Sequence, residues 1–188
     1  MDKPTLLGEM LVLRPIGPQD ADAMWEVVSD PESRRLAGLS EELTHRDVER
    51  WTAHVGTVDD RIDLAVTMAG SDEYLGEIVL DAIDPVVGSC NLRLTMRPAY
   101  RGRGYGTEAI QLVLGMAFGG LGLHRVGLVV PAVNTRAKSL YENIGFRVEG
   151  RLRDAFRDGD GWTDGLVMGL LDDEYRAGQL PASTPERA

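Results

Sequence analysis

The sequence predicts an α/β fold of the α+β kind, in which helices flank a central mixed sheet of about seven strands. Two observations carry this prediction. The hydrophobic period along the 188 residues switches repeatedly between two, typical of strands, and about 3.6, typical of helices. In the middle of the chain, a strand-like run, a glycine-rich loop, an apolar helix-like run and another strand-like run follow one another, which is the order of a βαβ unit.

The N-terminal segment predicts a strand followed by a helix. The apolar run 10–15 ends at a proline and indicates the first strand. Apolar residues at helical spacing follow from Asp20 until the pair Asp30-Pro31 interrupts them. The segment 34–42 is mixed and polar, and it predicts a loop or a broken helix.

A second helix and a hairpin come next. The residues from Thr44 to Asp47 have the form of a capping box and open an amphipathic helix. Trp51 lies on the apolar stripe of this helix and is expected to pack in the core rather than to contact a substrate. The period then shortens to two over 62–68 and again over 74–83, which indicates two adjacent strands joined as a hairpin.

The predicted βαβ unit occupies the centre of the chain. Its first strand is 90–96, and its helix, 107–118, is apolar almost all round, which indicates a buried helix. Its second strand, 126–130, is short and β-branched and is bounded by a proline, as expected of a central strand. The crossover between the two strands should be right-handed.

The C-terminal part predicts one more helix and two more strands. Asn134 or Thr135 caps a short helix that Gly145 ends. The runs 147–152 and 165–171 then indicate the last two strands.

Length and composition limit the class of protein. We expect one domain over 1–176, followed by a disordered tail over 177–188. The net charge of -10 argues against nucleic acid as a partner. Neither a signal-like start nor a long apolar run is present, so we expect a cytoplasmic protein without a membrane partner. A lone cysteine, Cys90, excludes an internal disulfide, and without CxxC or HExxH spacing no metal site is predicted.

The glycine-rich stretch 97–108 predicts an anion site. Its alternating glycines at 102, 104 and 106 allow backbone angles that a side chain would forbid, so backbone N–H groups can approach a ligand closely. A helix that starts near Thr107 would add the positive end of its dipole. A polyphosphate is the expected occupant.

Two motifs resemble those of the GCN5-related N-acetyltransferases. The stretch 101–106 resembles the family's Q/R-x-x-G-x-G/A signature, with Arg101, Gly104 and Gly106 at its fixed positions. The stretch 134–146 resembles the family's N-x-x-A-x-x-L-Y-x-x-x-G-F segment. The opening of the chain is similar to the subgroup that contains ribosomal-protein-alanine and spermidine N-acetyltransferases. The resemblance covers 11–171.

The resemblance implies a mostly antiparallel sheet and acetyl-CoA as the co-substrate, with no metal. The pyrophosphate would be held by loop amides, and the pantetheine arm would lie between two splayed strands, here 90–96 and 126–130. The cofactor-binding residues expected on this basis are Leu94, Thr95, Met96, Arg101, Gly102, Arg103, Gly104, Tyr105, Gly106, Thr107, Asn134, Arg136 and Ala137.

The resemblance also implies the general acid. It places Tyr141 at the family's catalytic tyrosine, whose phenol can donate to the leaving thiolate. Without the motif, a tyrosine at this position would be read as packing a short helix onto the sheet.

The general base departs from the family's pattern. Many relatives carry a glutamate at the position that aligns with Asn91, and an asparagine cannot accept a proton from an ammonium. Glu77 and Asp81, on the preceding strand, are the alternatives and could act through ordered water. Outward-facing strand carboxylates remain the other interpretation of both residues.

The expected function is therefore the transfer of an acetyl group to a primary amine by direct attack on the thioester. A P-loop kinase is disfavoured because no Lys-Ser/Thr pair follows the glycine loop. An acyl-CoA-binding module with little or no turnover remains the alternative. Residues 20–56 should form much of the acceptor pocket. A protein N-terminal amine, a polyamine, an amino acid or another small-molecule amine stays open as the acceptor, and so does a homodimer.

Overall fold

The structure is a computed structural model that describes residues 3–39 and 42–179. In this part of the chain, eight strands form one sheet in the order β1-β2-β3-β4-β5-β6-β8-β7. The strands are β1 Leu6–Leu7, β2 Leu11–Pro15, β3 Ile62–Met68, β4 Tyr74–Asp84, β5 Ser89–Met96, β6 Arg125–Pro131, β7 Arg147–Asp158 and β8 Gly161–Leu171. Every pair of neighbours is antiparallel except β5 and β6, which run parallel.

This architecture confirms the mixed, mostly antiparallel sheet. The strand beyond the expected seven is β1, whose two residues are too few to show an alternating pattern. The last two strands extend towards a shared turn beyond the bounds that the sequence indicates, because their exposed polar residues hide the alternation.

Six α-helices lie against the sheet within the described residues. They are α1 Ala21–Ser29, α2 Pro31–Ala37, α3 His45–His54, α4 Tyr105–Leu114, α5 Thr135–Ile144 and α6 Asp172–Gln179. A π-helical turn, Gly115–Gly120, prolongs α4. Helix α6 includes 177–179, which the sequence assigns to a disordered tail, and the rest of that expected tail, 180–188, lies outside the described residues.

The sheet separates two apolar cores. Along β3, Leu64 and Val66 belong to the larger core, which contains α4 residues such as Ile110. Ala65, between them, belongs to the second core with α1 and α3. Successive side chains of a strand point to opposite faces, so this division places α4 on one side of the sheet and α1 and α3 on the other.

Helix α2 corrects the expectation of a loop or broken helix over 34–42, of which 40 and 41 lie outside the described residues. Pro31 occupies the first position, where its missing N–H would have no partner in any case. The Asp30 carboxylate accepts from the Ser33 backbone N–H at 2.7 Å, and Gly38 ends the helix with φ 70°. The proline that ends α1 therefore also begins α2.

The exposure of Trp51 corrects the expectation that this side chain packs in the core. It lies at the edge of the core with 36% of its surface exposed, and the Arg61 guanidinium lies 4.8 Å from the centroid of its ring. The apolar stripe of α3 is correctly indicated by the sequence, but Trp51 stands at the margin of that stripe, beside a cavity.

Candidate active site

The parallel strands β5 and β6 diverge at the centre of the sheet. Their register joins Ser89–Asn91 to Arg125–Gly127, whereas β5 continues to Met96 along its other neighbour, β4. The expected splayed pair is thus present. The second half of β5 consequently has one edge whose backbone groups are available to a ligand.

A cavity of about 700 Å³ opens at this divergence. It lies among the end of β5, the loop that follows, α2 and the start of α5, and we refer to it as the large cavity. Its lining comprises Glu32, Ser33, Arg35, Leu36, Ala37, Leu94, Thr95, Met96, Pro98, Tyr100, Arg101, Gly102, Gly104, Gly106, Thr107, Val133, Asn134, Thr135, Arg136, Ala137, Leu140 and Tyr141.

The glycine loop has the predicted backbone geometry at two of its three glycines, whereas Gly106 lies inside α4 without a positive φ. Gly102 and Gly104 adopt φ of 76° and 87°, in the left-handed region that favours glycine, and Gly104 is the N-cap of α4. A Cβ built on Gly102 would lie 2.6 Å from Nη2 of Arg136. A guanidinium and a helix N-terminus therefore meet at one end of the large cavity, an arrangement suited to an anion.

Most of the expected cofactor residues line the large cavity, but two do not. Arg103 is exposed, and its guanidinium carbon lies 5.9 Å from the centroid of the Tyr100 ring. Tyr105 packs against the larger core at the start of α4. Arg103 thus faces solvent and Tyr105 faces the core, which the spacing of the motif alone does not reveal.

Arg101 holds the loop in place. Its Nε donates to the Met96 carbonyl at 3.0 Å and its Nη2 to the Ser33 hydroxyl at 2.6 Å. The side chain thus joins the end of β5 to α2. Because both contacts are internal, the guanidinium acts first as a structural link at the cavity wall.

Asn134 makes a second link to α2. Its Oδ1 accepts from the Ala137 backbone N–H at 3.1 Å, which caps α5, and its Nδ2 donates to the Leu36 carbonyl at 3.0 Å. Neither motif includes the α2 residues that line the large cavity. The Asp30-Pro31 pair, an N-cap followed by a proline at the first helical position, is the signal that could have found them.

Tyr141 lies on α5 with 5% of its surface exposed. Its ring packs edge-on against Phe146 at 5.6 Å between centroids, and it also lines the large cavity. Burial raises the pKa of the phenol well above its usual value. The hydroxyl is therefore protonated across the physiological pH range and can act as a donor.

A smaller cavity of about 310 Å³ lies on the α1–α3 side of the sheet, and we call it the small cavity. It shares Ala37 and Thr95 with the large cavity. Its lining comprises Met24, Val27, Val28, Ala37, Leu39, Leu43, Asp47, Val48, Trp51, Tyr74, Glu77, Arg93 and Thr95. Residues 20–56 supply most of it, as the sequence analysis expects of an acceptor pocket.

The two candidate bases occupy different places along β4. Glu77 pairs with Thr95, lines the small cavity and is half-buried, and this burial raises the pKa of its carboxyl. Asp81 pairs with Asn91, four residues or about 13 Å further along the strand, and lines neither cavity. Asn91 itself is exposed.

The described residues contain neither a cluster of metal-ligating side chains nor a membrane-spanning helix. Within 3–39 and 42–179, no group of three or more His, Cys, Asp or Glu side chains is arranged to hold a metal ion. In the same ranges, every helix is too short or too polar to cross a membrane.

Comparisons with known proteins agree with this geometry. Residues 10–147 match the family model described as an acetyltransferase (GNAT) domain. An uncharacterized N-acetyltransferase of Bacillus licheniformis, p20, is 26% identical over 174 residues, which cover 91% of this chain and 98% of that protein. The spermidine N(1)-acetyltransferase of Escherichia coli strain K12 is 26% identical over 120 residues, 64% of each chain.

Solved structures show the same fold. A GNAT-family acetyltransferase from Bacillus anthracis superposes with a TM-score of 0.80 at 23% identity, covering 91% of this chain and 100% of that one. The spermidine N-acetyltransferase of Vibrio cholerae, solved with CoA and spermine, gives a TM-score of 0.82 at 22% identity, with coverage of 90% and 99%.

Proposed function

The chain belongs to the acetyltransferase (GNAT) family and is an N-acetyltransferase, and on that premise we propose which residues hold its substrates and move its protons. The proposed reaction is acetyl transfer from acetyl-CoA to a primary amine by direct attack on the thioester. The observation that carries the proposal is the junction of the two cavities at Thr95 and Ala37.

The large cavity is proposed as the acetyl-CoA site. Backbone N–H groups of 102–107 and the Arg136 guanidinium would hold the pyrophosphate, because they meet at the N-terminus of α4. Backbone groups of Leu94, Thr95 and Met96, on the open edge of β5, would pair with the pantetheine arm. Bound there, acetyl-CoA supplies an acetyl group already activated as a thioester.

Glu77 is proposed as the general base in preference to Asp81. It lines the small cavity directly opposite Thr95, so it can take a proton from an ammonium that enters there, directly or through one water. Its raised pKa makes it a better proton acceptor than an ordinary glutamate. Asn91 takes no part in this scheme.

Tyr141 is proposed as the general acid. When the amine nitrogen bonds to the acetyl carbon, the carbon–sulfur bond breaks and the sulfur leaves as a thiolate. The phenol of Tyr141 would donate its proton to that sulfur and recover one from the product nitrogen, which carries a surplus proton after the attack.

The experiment is thiol release from acetyl-CoA in the presence of a panel of primary amines, together with calorimetric titration of acetyl-CoA. We expect binding of acetyl-CoA and amine-dependent release of CoA. Binding without turnover on any amine would support the acyl-CoA-binding module instead.

A further inference from the structure

The small cavity has a charge pattern of its own. Glu77 pairs across the sheet with Thr95, and Arg93, two residues before Thr95, pairs with Val79. Glu77 and Arg93 are therefore diagonal neighbours on one face of the sheet, with Cα atoms about 7–8 Å apart. The Glu77 carboxylate and the Arg93 guanidinium therefore both line the small cavity from the same face of the sheet.

Arg93 and, more weakly, Arg61 attract the Glu77 carboxylate through space, but in the described part of the chain neither Glu77 nor Arg93 is fixed by a close contact. Among the described residues, neither Glu77 nor Arg93 has an ion-pair or hydrogen-bond partner. The neighbouring carboxylate, Asp63, is held by both Nε and Nη2 of Arg61 at 2.8 and 2.6 Å. Asp47 accepts from the backbone and hydroxyl of Thr44 at the start of α3.

The walls around these two charges are apolar. Met24 and Val28 of α1 and Trp51 of α3 line the cavity, and their helices contribute no further free carboxylate to it. A polyamine carries an ammonium every three or four methylene groups and needs a carboxylate for each. Here its second ammonium would face apolar side chains or the Arg93 guanidinium, and both are unfavourable.

We propose that the acceptor is an α-amino acid with an apolar side chain. Its amine lies against Glu77, its carboxylate against Arg93, and its side chain among the apolar walls. The two charged groups of an amino acid are joined through one carbon, so a zwitterion fits between diagonal neighbours. A cavity of about 310 Å³ is at the small end of ligand sites, which suits an acceptor of this size. This inference rests on the proposed function and adds the substrate class.

The test compares free amino acids with their amides. For leucine, methionine and phenylalanine, we expect kcat/KM to exceed that of the corresponding amide, and that of spermidine, by about tenfold or more, since one charge pair is lost with the carboxylate. In Arg93→Gln the preference for the acid should disappear, because kcat/KM for the acid should fall about tenfold further than kcat/KM for the amide. Arg93→Lys should restore part of the preference. Arg176→Gln, on the exposed side of α6, serves as the charge-matched control.

The outcomes separate the inference from the function on which it rests. Equal rates for acids and amides, turnover confined to spermidine, or an equal loss for acid and amide in Arg93→Gln would overturn the amino-acid acceptor and leave the acetyltransferase intact. Binding of acetyl-CoA without turnover on any amine would overturn the proposed function, and the inference with it.

Discussion

Burial raises the pKa of both Tyr141 and Glu77, and the two raised pKa values suit opposite roles, that of an acid and that of a base. The raised pKa of Tyr141 keeps the phenol protonated, so that it can donate to the thiolate that leaves the acetyl group. The raised pKa of Glu77 increases its affinity for the proton of an incoming ammonium. Each group lines a different cavity, and the cavities meet at Thr95, so the proposed acid and base act from two sides of one junction.

Replacement of the Tyr141 hydroxyl tests the acid. We expect Tyr141→Phe to lower kcat by roughly ten- to a thousandfold, the usual contribution of a positioned acid, while the affinity for acetyl-CoA stays nearly unchanged. Steady-state kinetics and calorimetric titration measure the two quantities. Tyr175→Phe is the matched control, since Tyr175 stacks on Phe118 away from both cavities. An unaltered kcat in Tyr141→Phe would exclude the assigned role.

Glu77 should lower the stability of the fold near neutral pH. The pKa of Glu77 is higher in the folded protein than in the unfolded chain. The free energy of unfolding is therefore unaffected by its ionisation below about pH 4.3 and falls as pH rises through the folded pKa. We therefore expect Glu77→Gln to have a higher Tm than the parent near pH 7, with the difference vanishing near pH 4, and to lose activity. Thermal unfolding between pH 4 and 8 measures this.

A matched variant controls for the loss of a surface charge. Glu142→Gln removes an exposed carboxylate paired with Lys138 on α5, and its effect on Tm should be small at every pH in that range. If Glu77→Gln shifted Tm equally at pH 4 and pH 7, a packing change rather than the ionisation of Glu77 would be responsible.

At the scale of elements, helix α2 and the glycine loop form the walls of the large cavity and are tied together. Arg101 joins the loop to Ser33, and Asn134 joins the start of α5 to Leu36. Arg101 and Asn134, which occupy fixed positions of the two motifs, thus connect the walls of the large cavity to each other. Their side-chain contacts to α2 explain why these residue types are needed even before a ligand is considered.

The loop glycines allow an element-scale test. Gly102→Ala places a Cβ in the left-handed region, at a strain of about 1–2 kcal/mol, and against the Arg136 guanidinium. We expect KM for acetyl-CoA to rise by roughly tenfold, equivalent to about 1.4 kcal/mol. Gly70→Ala has the same backbone strain at φ 84° in an open turn, so it should lower Tm alike but leave KM unchanged. Equal KM values for acetyl-CoA in the two variants would show that the loop does not contact acetyl-CoA.

At the scale of the whole molecule, the sheet connects the two cores. Leu64 and Ala65 are neighbours on β3 but pack on opposite faces of the sheet. The unfolding of either core would therefore disrupt a strand on which the other core also depends. We propose on this ground that residues 1–176 behave as one domain. The splay between β5 and β6 is the place where this continuous sheet separates, beside the proposed acetyl-CoA site.

The expected unfolding behaviour follows from this continuity. Thermal unfolding should occur in one cooperative transition, and acetyl-CoA at a hundred times its Kd should stabilise the fold by about 2.7 kcal/mol. Scanning calorimetry with and without acetyl-CoA measures both. Two separate transitions, of which acetyl-CoA moved one alone, would show that the cores unfold independently.

The sequence by itself determined most of the elements and most of the residues proposed for the donor site. The period changes indicated the hairpin of β3 and β4 and the βαβ unit around α4. The motifs at 101–106 and 134–146 located most of the part of the large cavity that lies outside α2 and β5. These features are local in the chain: backbone angles, caps and periodicity depend on residues within a few positions of one another. For the same reason a resemblance to a family could be recognised in them.

Only the tertiary structure decided what lies beside that site. The separation of Glu77 from Asp81, the shared wall at Thr95, and the adjacency of Glu77 to Arg93 depend on the register between β4 and β5. The links from Arg101 and Asn134 to α2 join residues 68 and 98 positions apart. No pattern within one segment encodes such contacts, because they arise when the sheet aligns distant segments. The residues proposed for the donor site could thus be named from local motifs, whereas the charge pair proposed for the acceptor pocket required the fold.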